Sequence, residues 1–351
     1  MTTTDQILLD SASRLFADLC TDEALHCAER GEWLASHWQA IEELGLPLAL
    51  VDEAAGGFGF DPLDALGLVR LAGKFALPLP LADTMAANRR LGEAGFEVLP
   101  GVAVLAVGAT GDQLRLTRQP DGWLLQGRCS GVPWGRHAAR VAVLAPHDGR
   151  LHLAAVPAGC WTSEAGMNLA GAPRDRLSFD TTLPADAVRP AVHDFDTYAA
   201  DEAAIRALTM AGALERVLDM TVQYAGERTQ FGKAIGKFQV IQQNLAVLAS
   251  QACAASSAAD VAAHALAAGD KVLQIAIAKA RAGEAAGIAC GLAHQIHGAI
   301  GFTAEHRLHH FTKLLWSCRD EGGSEAYWNH RIGLQVVRTG ADDLWSFLTA
   351  I

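Results

Sequence analysis

Apolar residues recur at helical spacing over both ends of this chain, and in short dense runs only across its middle. Near the start, Ile7, Leu8, Ala12, Leu15 and Phe16 fall on one helical face, with Asp5 placed to cap it. Residues 33–44 read as a second helix, ended by Gly45 and Pro47, and residues 51–59 read as a loop. Asp61 opens a third helix with Pro62 in its first turn. Pro78 and Pro80 stop it ahead of a fourth.

From about residue 100 the character changes. Runs rich in β-branched and aliphatic residues at 102–107, 114–116, 123–125, 141–144 and 151–156 are separated by Gly, Pro and Asp. Such spacing predicts a small antiparallel barrel or sandwich. Long helices return at 197–227, 236–268 and 270–297, followed by shorter ones at 305–315 and 324–349. Gly269 and Asp270 form a compact turn, so the helices on either side are predicted to be antiparallel neighbours across an alanine-rich seam. The fold class expected is α+β and mostly α: an N-terminal helical domain (1–98), a middle β-barrel or sandwich domain (99–195) and a C-terminal four-helix bundle (196–351).

Composition narrows the function. The 351 residues are half apolar, with a net charge of −11, which repels polyanions and argues against nucleic acid as a partner. An anionic ligand therefore needs local cations. The first residues have neither a basic nor an apolar segment of signal-peptide type. The most apolar stretch, 246–293, is broken by Asp260, Asp270, Lys271, Lys279, Arg281 and Glu284, so no membrane span is expected. Seven scattered cysteines read as reduced thiols, consistent with a cytoplasmic protein. His306, His309 and His310 sit at helical spacing but have no second ligand cluster in the sequence; they read as surface or interface residues, and no metal is expected.

Two segments carry candidate chemistry: Tyr-Ala-Gly-Glu-Arg-Thr-Gln-Phe-Gly at 224–232 and Gln-Ile-His-Gly-Ala-Ile-Gly-Phe-Thr at 295–303. Each closes a long helix with a cation or glycines where a phosphate or flat ring can approach the backbone. Alone, Arg228 would be explained by the helix dipole and the glycines by a C-cap. Arg228, Gln230, Phe231 and Gly232 are followed, however, by Ile235, Phe238, Gln239 and Gln242. This series resembles the Arg-x-x-Phe-Gly…Phe-Gln-x-x-Gln signature of the acyl-CoA dehydrogenase family, and Gln295, Gly298 and Gly301 resemble its Gln-x-x-Gly-Gly-x-Gly. The resemblance implies that Arg228 meets the pyrophosphate of FAD and Phe231 lies against the cofactor, with Gln230, Ile235, Phe238 and Gln239 alongside. It also implies that Gln295, Gly298 and Gly301 contact the adenosine half across a dimer. Ala299 stands where the family has its second glycine.

Desaturation of a thioester requires a carboxylate to take the α proton. By resemblance the base is Glu321, one residue short of the family's usual Glu-Gly-Thr spacing, or Glu202 on the first long C-terminal helix. The plain alternatives are a solvated loop acid and a dipole-stabilising acid. In the middle region the family's Thr-Glu-Pro…Gly-Ser-Asp loop has no counterpart between Val107 and Trp123. Gly131-Val132-Pro133-Trp134 replaces its Trp-Ile-Thr strand. Residues 51–59 resemble its Pro-Glu-x-x-Gly-Gly-x-Gly loop.

The resemblance thus implies FAD-dependent α,β-desaturation of an acyl-CoA, within lipid or steroid catabolism, with electron-transfer flavoprotein or a similar acceptor. The assembly implied is a homo-oligomer (a dimer of dimers) or a heterotetramer with a sister subunit. Two alternatives stand beside it: a non-catalytic partner that completes a sister chain's FAD site, and a flavin monooxygenase on the same fold.

Overall fold

The computed structural model describes residues 3–108, 113–269 and 271–349. Asp270, residues 109–112 of the segment before Trp123, and the side chain of Asp5 lie outside this description. The chain divides into two compact units, Met1–Leu68 with Leu77–Ala199, and Val69–Ala76 with Ala200–Ile351.

The N-terminal helices are α1 (Thr3–Leu19), α2 (Asp22–Glu29), α3 (Ala35–Glu43), α4 (Pro62–Phe75) and α5 (Leu81–Glu93). Helix α2 was not predicted. It buries only Ala24 and Leu25, too little for a visible stripe, and is started by the Thr21 hydroxyl, which accepts a hydrogen bond from the Ala24 N–H at 3.2 Å. Strands follow as β1 (Ala103–Val107), β2 (Gln113–Gln119), β3 (Gly122–Pro133), β4 (Arg140–His147), β5 (Arg150–Pro157), β6 (Thr162–Glu164), β7 (Arg174–Pro184) and β8 (Val188–Pro190). They form two four-stranded sheets, ordered β1-β4-β5-β8 and β2-β3-β7-β6.

The pairing is not wholly antiparallel as expected, because β1 runs parallel to β4, with Ala103 opposite Arg140. The β2–β3 hairpin between them belongs to the other sheet and serves as the crossover that a parallel pair needs. Trp123 of β3 fills space between the sheets, its ring edge-on to His147 at 4.9 Å and tilted on His152 at 5.4 Å. On the first sheet, Ala87 and Leu91 of α5 pack with Phe96, Ala142, Leu144, Leu153 and Tyr198 in a continuous core.

From Ala200 onward α6 (Phe195–Glu227) belongs to the second unit, and it leads into a hairpin of two-residue strands, β9 (Thr229–Gln230) and β10 (Lys233–Ala234). Then come α7 (Gln239–Ala267), α8 (Val272–His297), α9 (Leu308–Asp320), α10 (Glu325–Thr339) and α11 (Leu344–Thr349). The helix predicted over 324–349 is divided at Gly340, whose φ of 78° no helix tolerates. Helix α8 is central, packing on α7, α9 and α10. Its seam with α7 is built from small residues such as Ala252, Ala255, Ala259 and Ala282, all buried. Helix α7 is long and apolar enough by length and composition to cross a bilayer, but here that alanine face is covered by the bundle. The end of α4 lies directly on α6: a Cβ on Gly73 would stand 2.1 Å from the Thr209 carbonyl oxygen, and one on Gly212 1.8 Å from that of Arg70. Two glycines, one from each helix, allow this contact.

Candidate active site

Helix α6 ends at Glu227, and the chain turns sharply through β9 and β10, which pair Gln230 with Lys233 and Thr229 with Ala234. The two turn residues, Phe231 (φ 51°) and Gly232 (φ 78°), both adopt the left-handed conformation that a tight hairpin requires. Glycine does so freely; phenylalanine at positive φ is strained. Yet the Phe231 side chain is 92% exposed, so no burial within the chain compensates that strain. Its ring meets Phe238 edge-on at 6.2 Å, and the Lys233 ammonium lies over the Phe238 ring at 4.2 Å. The backbone N–H of Ile235 donates to the Arg228 carbonyl at 2.8 Å and the Gln242 side-chain amide to the Gly236 carbonyl at 3.1 Å, which fixes the base of the hairpin. Arg228, Gln230 and Gln239 are exposed; Ile235 and Phe238 are half-buried.

The second segment lies beside the first. Tyr224, one turn before Arg228, stacks on His297 with ring centres 4.5 Å apart, and its hydroxyl donates to the His297 carbonyl at 3.3 Å. The end of α6 is therefore fastened to the end of α8, where Gln295 is exposed. Gly298 has φ 63° and ψ −143°, and a Cβ there would meet nothing within 4 Å. Backbone conformation, not crowding, calls for glycine at that position. Gly301 is the reverse case: it is buried, and a Cβ would press on His297 at 3.0 Å and Leu308 at 3.1 Å.

Beneath this loop are histidines that burial keeps neutral. His297, 3% exposed, has its pKa lowered from 6.5 to about 4, chiefly by desolvation, and its Nδ1 donates to the Ala293 carbonyl at 2.8 Å. His294 is shifted down for the same reason, stacks under Phe302 at 4.1 Å, and faces the Thr312 hydroxyl at 2.9 Å. Of the later histidines, read as surface or interface residues, His310 is buried and His306 and His309 are half-buried, because their turn packs against the end of α8.

The two candidate bases converge on one side chain that the sequence reading overlooked. Arg206, whose side chain is 5% exposed, lies 3.0 Å from the Glu321 carboxylate and 3.6 Å from that of Glu202. Glu321 is 15% exposed and Glu202 44%. The signal was available, since Arg206 follows Glu202 by one helical turn on an alanine-rich helix. Gly322 rests on the α6 backbone, where a Cβ would be 2.8 Å from the Ala203 nitrogen. Lys279 and Trp328, also unanticipated, hydrogen-bond this turn.

Elsewhere, Trp134 is buried and its ring lies edge-on to Trp33 at 5.8 Å, which makes it a core residue. The loop at 51–59 is a turn held by close glycine contacts, with a Cβ on Gly57 only 1.7 Å from the Val51 carbonyl oxygen. Among the described residues no two cysteines form a disulfide, and burial pushes the Cys290 thiol up to about 12.

Residues 198–329 match the sequence profile of the acyl-CoA dehydrogenase C-terminal domain. Acyl-CoA dehydrogenase IpdE2 of Mycobacterium tuberculosis is 29% identical over 346 residues, 97% of either chain. Among solved structures, butyryl-CoA dehydrogenase from Megasphaera elsdenii superposes with a TM-score of 0.88 at 20% identity, over 96% of this chain and 99% of that one. A chain of the ChsE4-ChsE5 complex from Mycobacterium tuberculosis superposes with a TM-score of 0.85 at 21% identity, over 97% and 99%. At such identities the two superpositions speak for the fold.

Proposed function

We propose that the chain is a flavoprotein oxidoreductase of the acyl-CoA dehydrogenase family, a reading supported by its C-terminal profile, its 29% identical relative and the shared fold, and that it takes part in FAD-dependent α,β-desaturation of an acyl-CoA thioester. The observation that carries this reading is the fastened pair of helix ends. An exposed guanidinium (Arg228), an exposed aromatic ring (Phe231), an exposed amide (Gln295) and an open glycine backbone (Gly298) flank the contact of Tyr224 with His297 that joins these ends.

These groups fit a dinucleotide. Arg228 offers paired N–H donors to phosphate oxygens, Gly298 allows close backbone approach, and the strain at Phe231 is explained if its ring meets a flat partner. Because Phe231 at the turn of the hairpin is almost wholly exposed, we infer a cofactor shared with a second chain, either another copy or a sister subunit. Bound FAD would accept the β hydride, and electron-transfer flavoprotein or a similar carrier would reoxidise it. Within the chain, Glu202 takes the α proton onto its carboxylate. Glu321 is the close counter-charge of Arg206, and protonating it would cost a nearly buried guanidinium that ion pair; Glu202 is farther from Arg206 and more open.

The test is purification, alone and co-expressed with candidate sister chains, followed by a visible flavin spectrum and ferrocenium-coupled oxidation of acyl-CoA panels. Glu202→Gln is expected to lower kcat by about 1,000-fold and Glu321→Gln by about 10-fold. Colourless protein in every combination rejects the reading, and the reverse ranking of the two variants rejects the assignment of the base.

One observation favours a second reading, the non-catalytic partner. Pro133 has no N–H to offer a flavin ring and Trp134 is committed to the core, on the strand where family resemblance would place ring contacts. Under that reading both Gln variants leave the activity of the co-expressed complex unchanged.

A further inference from the structure

The turn that carries Glu321 is held from outside by its own carbonyl groups. The Lys279 ammonium donates to the Arg319 carbonyl at 2.9 Å and to the Gly323 carbonyl at 2.7 Å. The Trp328 indole donates to the Gly322 carbonyl at 2.7 Å. Gly322 and Gly323, at φ 63° and 89°, give the backbone the left-handed bend that directs these carbonyls inward.

Lys279 belongs to a stripe. Lys279, Gly283 and Gly287 succeed one another by four residues and lie on one face of α8. A Cβ on Gly283 would be 2.5 Å from the Glu325 carboxylate, and one on Gly287 would be 3.3 Å from the Arg319 guanidinium. Those two side chains are joined by a 2.7 Å hydrogen bond across the groove the glycines leave. Capping the end of α9 accounts for the bond to Arg319, whose carbonyl lies in the last helical turn. It does not account for Gly323, beyond the helix.

Lys279 has no exposed surface, and burying an ammonium is costly. Desolvation lowers its pKa from 10.5 to about 8. An amine keeps two N–H donors after losing its proton, so both carbonyl bonds survive in either state.

We propose that Lys279 is a positioning residue. With the glycines above it on α8, it seats the Glu321–Gly323 turn against α6 and so fixes the Glu321–Arg206–Glu202 set. The kinetic part rests on the proposed desaturation; the seating itself does not. The experiment uses Lys279→Met in the full chain, in whichever assembly holds flavin, with Trp328→Phe as a second variant. Hydrogen exchange in the 319–324 peptide should quicken by about 10-fold or more while α7 peptides keep their protection. Flavin content and KM should stay within about 3-fold, while kcat per flavin falls by about 10- to 100-fold. Unchanged exchange overturns the seat. Faster exchange with unchanged kcat per flavin reduces Lys279 to a structural role and overturns positioning. If Lys279→Met does not fold, Trp328→Phe, which removes one bond of the three, decides by both measurements with a smaller expected loss of about 3- to 10-fold. A colourless wild type rejects the desaturation reading, and exchange alone then judges the seat.

Discussion

The stretch of α8 from Lys279 to Gly287 and the helix's C-terminal end make opposite use of the same alanine-rich helix. In the first, Lys279 is fully buried, both its carbonyl partners are within 3 Å, and glycines leave room for an ion pair one layer out. At its C-terminal end the polar groups are exposed or neutral: Gln295 and Gly298 are exposed, and His297 Nε2 and His294 Nδ1 make no hydrogen bond among the described residues. The first part is saturated and resembles a core. The second is pre-shaped but incomplete, which is what a site finished by a cofactor and another chain requires. Stability and binding are therefore separable along one helix, and variants in either part should affect one and spare the other.

Acid should break this separation with the largest effect. The unfolded chain holds a proton on His297 below pH 6.5 that the folded chain refuses until about pH 4. Folding stability thus falls as pH drops through that window, and no contribution remains above it. The gap corresponds to about 3 kcal/mol for His297 alone, with His294 and His306 acting in the same direction. Urea unfolding from pH 7.5 to 4.5 measures it. His297→Phe keeps a ring against Tyr224 and should flatten the curve; an unaltered curve would mean that the loop admits water to the imidazole.

The next effects separate the two parts directly. Arg228→Met should weaken flavin binding by about 10- to 100-fold, the worth of a charge-assisted phosphate contact, and change unfolding free energy by less than about 0.5 kcal/mol. Gly283→Ala should do the opposite. Its methyl displaces the Glu325 carboxylate and costs about 1 to 2 kcal/mol in a urea titration, while flavin affinity holds. Loss of flavin in Gly283→Ala without loss of stability would show that the two parts are coupled.

How much of this was legible follows from what each feature depends on. Helices broken by Gly45, Pro47, Pro78 and Pro80 announce their ends locally, and the signature from Arg228 to Gln242 is contiguous. The parallel pairing of β1 with β4 is invisible because nothing in a strand names its neighbour. Arg206 was within reach, one turn from Glu202. The seat at Lys279 was not: its partners come from 40 and 44 residues later, and a lysine inside an alanine run reads equally well as a solvated face. Likewise the strain at Phe231 required coordinates, since the sequence shows only a phenylalanine before a glycine.

The smallest effect concerns Ala299, which occupies the position of a glycine in the family's loop and is exposed between Gly298 and Ile300. Its methyl meets the approaching dinucleotide only if this loop is the adenosine contact. Ala299→Gly should then tighten flavin by about 3-fold or less, roughly the penalty of one misplaced methyl group. The same change should destabilise the chain by about 0.5 to 1 kcal/mol, because glycine loses more freedom on folding. The two measurements, flavin titration and urea unfolding, are expected to move in opposite directions. Weaker flavin binding would show that Ala299 itself supports the cofactor, and an unchanged affinity would place the adenosine half elsewhere on this face.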